Sequence, residues 1–342
     1  MPAAEKKEAK SKRKQLPEVV ALDMAGSGLK MVHARYGKDG FSVMKIGELS
    51  APPPPAEGEE VARLILPKEW TTYYAALLTT GSDAVIRYVT LPGHHPETDN
   101  LAAQVREHMG IEDGYRVGYV HIKHPNVKTE TRLLAAALKE EEAQQMMDRF
   151  ASGQPAPCSL EISSLAALNA FSEFGPLKNH PDDAVGFIDA GAQTTLMAFF
   201  NRGALSIVRK FNMGGDYLVE HIQKEMGVDS EVARNIVCDG SFDISRSVSA
   251  VLGPFLRQLS ISKDFIERRE NCQLAAIYLS GGMSLCGDWS RDIAQAAGVT
   301  VQLWNPLEDV TLEEGAVPEE LVGQEPRFAA ALGAAWGVFQ QS

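Results

Sequence analysis

A chain of 342 residues, 44% hydrophobic and 23% charged, has the composition of a globular protein long enough for one large core or two modest ones. Its net charge of −12 argues against general nucleic-acid binding, which needs a basic footprint. Cys158, Cys238, Cys272 and Cys286 form no C-x-x-C pair, no apolar run is long enough to span a membrane and no signal peptide opens the chain, so a soluble cytoplasmic protein is expected.

The N-terminal segment reverses the acidic balance, because Lys6, Lys7, Lys10, Lys12, Arg13 and Lys14 outweigh Glu5 and Glu8. A solvated tail is one reading, and loose attraction to an anionic membrane face is the other. From Val19 the pattern predicts a strand, a small-residue turn, a strand over 29–36, a turn at Gly37–Gly40 and a strand over 41–49. Pro52 to Pro55 read as a stiff connector, and a helix broken near Pro67 is expected over 57–72. A strand pair, 74–78 and 84–90, should follow. Residues 96–150 then read as a compact unit: a helix over 97–109 with Leu101, Val105 and Met109 on one face, strands over 116–123 and 131–138 joined at Pro125-Asn126, and a helix over 139–151. On that last helix Met146 and Met147 either line a partner groove or pack in the core. His121 and His124 point to opposite faces of a strand, with no Cys or carboxylate at ligand spacing, so no metal pair is expected there; His94-His95 reads as an exposed turn.

A strand over 158–162 and a helix over 163–174 lead into a second meander: strands 185–190, 195–201 and 204–211. Helices are expected from Asp216, over 230–238 and over 244–270 with a break at Gly253-Pro254. An apolar strand, 274–279, ends in Ser280-Gly281-Gly282-Met283.

Two segments of this series read alike. Val19-Val20-Ala21-Leu22-Asp23-Met24-Ala25-Gly26-Ser27-Gly28-Leu29-Lys30 and Val185-Gly186-Phe187-Ile188-Asp189-Ala190-Gly191-Ala192-Gln193-Thr194-Thr195-Leu196 each end an apolar strand in Asp and a small-residue turn. Each Asp alone is also compatible with a simple turn cap. Two such turns closing on one site would make a phosphate clamp with a carboxylate on each side, suited to a nucleotide and Mg²⁺.

With Leu279-Ser280-Gly281-Gly282 third in order, the set resembles the phosphate-1, phosphate-2 and adenosine motifs of the actin, sugar-kinase and heat-shock-chaperone ATPase superfamily. Within it the chain resembles the PilM family of type IV pilus assembly proteins, relatives of the FtsA division proteins, through Val85-Ile86-Arg87-Tyr88-Val89-Thr90-Leu91-Pro92, Phe211-Asn212-Met213-Gly214-Gly215-Asp216-Tyr217-Leu218 and Ala330-Ala331-Leu332-Gly333-Ala334-Ala335. The resemblance implies an α/β, actin-like ATPase fold: two RNase H-like lobes with a small α/β, 1C-type insertion. The implied division is a basic tail at 1–17, a first lobe of 18–85 with 157–180 and 326–342, an insertion at 86–156 and a second lobe at 181–325. It implies ATP held near Gly26, Ser27, Lys30, Gly191, Gln193, Thr194, Gly214, Gly215, Gly281, Gly282 and Met283, with Asp23 and Asp189 as catalytic carboxylates holding Mg²⁺ through water.

A groove beside the insertion is then expected to take the cytoplasmic N-terminal peptide of a PilN-like bitopic inner-membrane protein, with self-association into rings or filaments. The family's phosphate-1 turn usually reads Asp-Ile-Gly-Ser-Ser-Ser-Val-Lys, and here Ala25 and Gly28 depart from it. Arg234, Val237 and Ser163 stand where the family's Glu, Lys and second acidic residue are expected. Weak nucleotide binding with very slow or absent hydrolysis follows. A small-molecule kinase or phosphatase of the same superfamily, or an FtsA-like division protein, is the alternative. The FtsA-like C-terminal membrane helix is missing from the sequence up to Ser342, so membrane location is expected to come through a partner.

Overall fold

A computed structural model describes residues 18–24, 26, 28–50, 63–93, 99–122, 130–150, 153–239 and 242–340. The basic tail, the Pro52–Pro55 connector, the first part of the helix expected over 57–72, His94-His95, His124 and the Pro125-Asn126 turn lie outside these residues. In chain order the elements begin with β1 (Glu18–Asp23), β2 (Gly28–Gly37), β3 (Gly40–Ser50), β4 (Tyr74–Thr79) and β5 (Val85–Pro92). They continue with α1 (Asp99–Met109), β6 (Tyr115–His121), β7 (Glu130–Lys139), α2 (Glu140–Asp148), β8 (Ala156–Ile162) and α3 (Ser163–Phe174). The second half holds β9 (Ala184–Ala190), β10 (Thr195–Asn201), β11 (Ala204–Phe211), α4 (Gly215–Met226), α5 (Ser230–Asp239) and α6 (Ser245–Glu270). It closes with β12 (Leu274–Ser280), α7 (Gly287–Ala297), β13 (Thr300–Leu303), β14 (Thr311–Leu312) and α8 (Ala329–Gln340).

Two sheets repeat one design. The first runs β14-β3-β2-β1-β4-β8 and the second β11-β10-β9-β12-β13. In each, three antiparallel strands form a meander, and the first of them continues into two parallel neighbours, β4 and β8 or β12 and β13. Equivalent central strands, β1 and β9, therefore end in Asp23 and Ala190 beside Asp189 at matching places. Both faces of these strands are covered. Val19 and Ala21 face a core shared with α3, α8 and the second sheet, whereas Val20 and Leu22 pack with Met31, Leu77 and Met146 on the other side. Between the sheets, Phe171 of α3 stacks on Phe187 of β9 at 4.4 Å between centroids. Helices α3 and α8 approach so closely that a Cβ on Gly333 would lie 1.8 Å from the Ala166 carbonyl oxygen.

A third sheet, β5-β7-β6, carries α1 on one face through Leu101, Val105 and Met109 and packs its other face on β8 through Ala84, Leu138 and Ile162. Three expectations need correction. The strands over 74–79 and 85–92 do not pair: β4 lies between β1 and β8, while β5 joins the third sheet. Residues 63–67 are not helical, and only Lys68–Trp70 make a short 3-10 turn, because Pro67 supplies no N–H and Leu64 and Leu66, two apart, both face the core beside Trp70. Helix α6 runs unbroken through Pro254, held by a buried stripe of Val248, Leu252, Phe255, Leu259 and Ile266 whose burial outweighs the roughly 3 kcal/mol cost of the ring.

Candidate functional site

The ends of β1 and β9 face one cleft of about 570 Å³, lined from both sheets. That size suits a nucleotide-sized ligand. A Cβ on Gly26 would lie 3.5 Å from Ala192 Cβ, so the turn after β1 and the turn after β9 touch across the cleft. Gly26 has φ +115, a backbone that only glycine adopts without strain.

Asp23 and Asp189 are both buried at the cleft floor. Lys30 Nζ stands 3.7 Å from Asp23 Oδ2, on the strand hydrogen-bonded to β1 at that position. Ser163 Oγ lies 2.9 Å from Asp23 Oδ1 and 3.0 Å from the Thr79 carbonyl oxygen. Burial, reinforced by the negative charge of Asp23, pushes the Asp189 carboxyl up to about 7, against the opposing pull of Lys30 and a hydrogen bond with Ser280. Two carboxylates crowded in this way favour a divalent cation, which removes their repulsion. A Mg²⁺ ion needs one or two carboxylates and completes its shell with water and phosphate oxygens, so the donor set fits. Asp23 and Asp189 are the residues that would hold it.

The remaining expected residues divide by position. Gly191, Gln193, Thr194, Gly215, Gly281, Gly282 and Met283 line the cleft with Gly26 and Lys30. Ser27 and Ala25 lie outside the described residues. Gly214 sits behind the turn, where a Cβ would come within 2.4 Å of the Gly191 carbonyl oxygen. Gly281, with φ +82, is likewise pressed against the backbone at Ala190. These two glycines let the start of α4 and the end of β12 pack against the second Asp turn. At Gly282, which also lines the cleft, a Cβ would meet nothing within 4 Å.

The departures acquire physical reasons. A Cβ on Gly28 would collide with Glu48, which is ion-paired to Arg327 at the cleft wall. Arg234 stands 3.9 Å from Asp216 at the first turn of α4, and Val237 lines the same wall. Asp216 is raised above the usual carboxylate range by burial, against the charge of Arg234 and a hydrogen bond with Gln193. Sequence reasoning passed over Arg327, Glu48 and Thr80. The only local signal is the hydroxyl-rich turn Thr79-Thr80-Gly81-Ser82, which ends β4 beside β1.

The family model described as type IV pilus assembly protein PilM matches residues 71–339. A chain of the PilM-PilN type IV pilus biogenesis complex is similar at TM-score 0.77 and 19% identity, over 94% of this chain and 98% of that one. Weaker likenesses include the ethanolamine utilization protein EutJ from Carboxydothermus hydrogenoformans, at TM-score 0.43 and 15% identity over 94% and 89% of the two chains. Another is MreB 5 of Spiroplasma citri bound to AMPPNP, at TM-score 0.43 and 11% identity over 96% and 97%. No curated protein matches the chain. The fold is α/β and actin-like, with two RNase H-like sheets that share one five-strand order, to which β14 adds a sixth strand in the first, and a small α/β insertion.

Proposed function

The chain belongs to the PilM family of type IV pilus assembly proteins, and from that premise we propose that it is an ATP-binding scaffold of the inner-membrane pilus platform. In this reading ATP and Mg²⁺ lie between the two Asp turns, hydrolysis is weak or absent, and residues 86–156 help take the cytoplasmic N-terminal peptide of a PilN-like bitopic membrane protein. Residues 18–85, 157–180 and 326–342 act as the first lobe and 181–325 as the second. Self-association into rings or filaments belongs to the same proposal.

One observation carries the nucleotide half: Asp23 and Asp189, from equivalent strands of two duplicated sheets, meet at the floor of one cleft. Low turnover follows from its walls. A kinase or fast ATPase needs a general base positioned for the attacking nucleophile. Here Ser163 occupies the place at the end of β8 and turns toward Asp23. No helix among the described residues is long and apolar enough to cross a membrane, so the reading assigns platform contact to the peptide.

The peptide half is supported by the family and by the likeness to a chain of the PilM-PilN complex. Fluorescence anisotropy with a labelled peptide of the first dozen residues of a PilN-like protein tests it. Saturable binding competed by unlabelled peptide is expected, and a scrambled peptide should not compete. Absence of binding with and without MgATP would remove this half of the reading.

A further inference from the structure

A second and larger cleft, about 990 Å³, separates the start of β5 and the end of β7 from the end of β11 and the middle of α6. Arg87, Lys139, Lys210 and Arg257 line it, against a single carboxylate, Asp83. Lys139 pairs with Asp83, and Lys210 donates to the carbonyl oxygens of Ser82 and Ala84. Arg87 and Arg257 are exposed and make no ion pair among the described residues. In a chain of net charge −12 this is a local excess of positive charge without its counter-charge.

Counter-charge stands in the segment that carries β14, away from this cleft. Residues 308–325 contain seven carboxylates and no Lys or Arg. Glu308, Asp309, Glu314, Glu319 and Glu320 are exposed, and among the described residues only Glu313 of the seven has an ion-pair partner, Arg35. The Glu313 N–H donates to the Val43 carbonyl and the Ile46 N–H to the Ala316 carbonyl, and these bonds with β14 fix residues 311–316 of the strip on one edge of the six-stranded sheet. The third sheet, which builds the cationic cleft, packs on β8 at the other edge. Five strand spacings, about 24 Å, separate the two edges, and no residue of the strip lines its own cleft.

We propose that the cationic cleft of one copy receives the acidic strip of a second copy. The contact joins two different surfaces, so it repeats head to tail instead of closing as a twofold dimer. It names the surfaces for the self-association proposed above and rests on that part alone. None of these charged residues lines the cleft between the Asp turns, so neither ATP nor the peptide is needed.

Sedimentation of the full chain over a range of concentrations tests it. Concentration-dependent assemblies are expected at low salt, dissolving near about 0.5 M salt, where screening is strong. Arg87→Glu with Arg257→Glu, and separately Glu319→Lys with Glu320→Lys, should each raise the concentration needed for assembly at least about tenfold. Circular dichroism should show both variants folded, because every altered side chain is exposed. Mixing the two variants should restore assembly, since each then offers the other complementary charge. A chain that stays monomeric at low salt overturns both the surfaces and the self-association. Assembly indifferent to both variants overturns the surfaces alone. Loss of binding to anionic vesicles in the arginine variant, with no self-association in either protein, would assign the cleft to lipid and overturn the proposal.

Discussion

Asp189 is strongly perturbed in the cleft between the Asp turns, and its chemistry sets a pH dependence. Held at about 7 by burial and by Asp23, it is largely protonated below neutrality when no cation is bound. A divalent ion requires the carboxylate, so Mg²⁺-nucleotide binding should release a proton and strengthen as pH rises from 6 to 8. Calorimetry in buffers of different ionisation enthalpy reads that proton directly; identical heats in all buffers would contradict it. Glu161, at the end of β8, is a second case. Burial raises it to about 7, and its Oε1 has no hydrogen-bond partner, since Asn169 Nδ2 donates to the Gly333 carbonyl instead. A carboxyl raised on folding binds more protons folded than unfolded, so stability is retained below the unfolded value of about 4.5 and declines as pH rises toward 7. Glu161→Gln should therefore stabilise the protein by on the order of 1–3 kcal/mol at pH 8 and change little below pH 5, read as thermal midpoints at both pH values.

Helices α3 and α8 form the element pair on which the two sheets rest. Gly333 is where they touch, and a methyl group there meets the Ala166 carbonyl oxygen at 1.8 Å. Gly333→Ala should force the helices apart and cost more than the usual 1–3 kcal/mol of overpacking, lowering the melting temperature by about 5 °C or more. An unchanged midpoint would mean that the contact relaxes freely. Such elements differ in how visibly their residues announce them. The two Asp turns were legible because strand, Asp and turn are local and their repetition is a pattern in the chain. Helix α1 and its buried Leu101, Val105 and Met109 were legible by spacing. The separation of β4 from β5 was not, because the turn at Thr80–Ala84 carries the chain between sheets and nothing local marks the change. Pro254 misled because its cost is local whereas the stripe that overrides it spans the helix. Helix α7 and strands β13 and β14 went unread. Glu48 and Arg327 lie far from Gly28 and from each other in sequence, so only the fold shows that a serine at that turn would have to displace the Glu48 side chain paired to Arg327.

At the scale of the molecule, side-chain contacts around the turn after β4 join α2 to the second Asp turn. Thr79 Oγ1 donates to Glu142 of α2, and Ser82 Oγ donates to Gln193 of the second Asp turn at 3.0 Å. Lys210 of β11 holds the backbone at Ser82 and Ala84 through their carbonyl oxygens. If the cleft binds ATP and the insertion binds a peptide, these bonds couple the two sites, and by linkage each ligand must alter the other's affinity equally. Thr79→Val should shrink the effect of MgATP on peptide affinity, from an expected ~5-fold or more toward none, while each ligand alone still binds. Peptide titrations with and without MgATP, in both proteins, measure it. The central proposal is that the duplicated Asp turns clamp a nucleotide. Isothermal titration of the purified chain with ATP and Mg²⁺, beside Asp189→Ala and with phosphate release followed in the same samples, tests that most directly. Saturable one-to-one binding, weakened about 10- to 100-fold in the variant and accompanied by little or no phosphate release, is predicted. No heat at any ATP concentration, or equal binding in the variant, would contradict it.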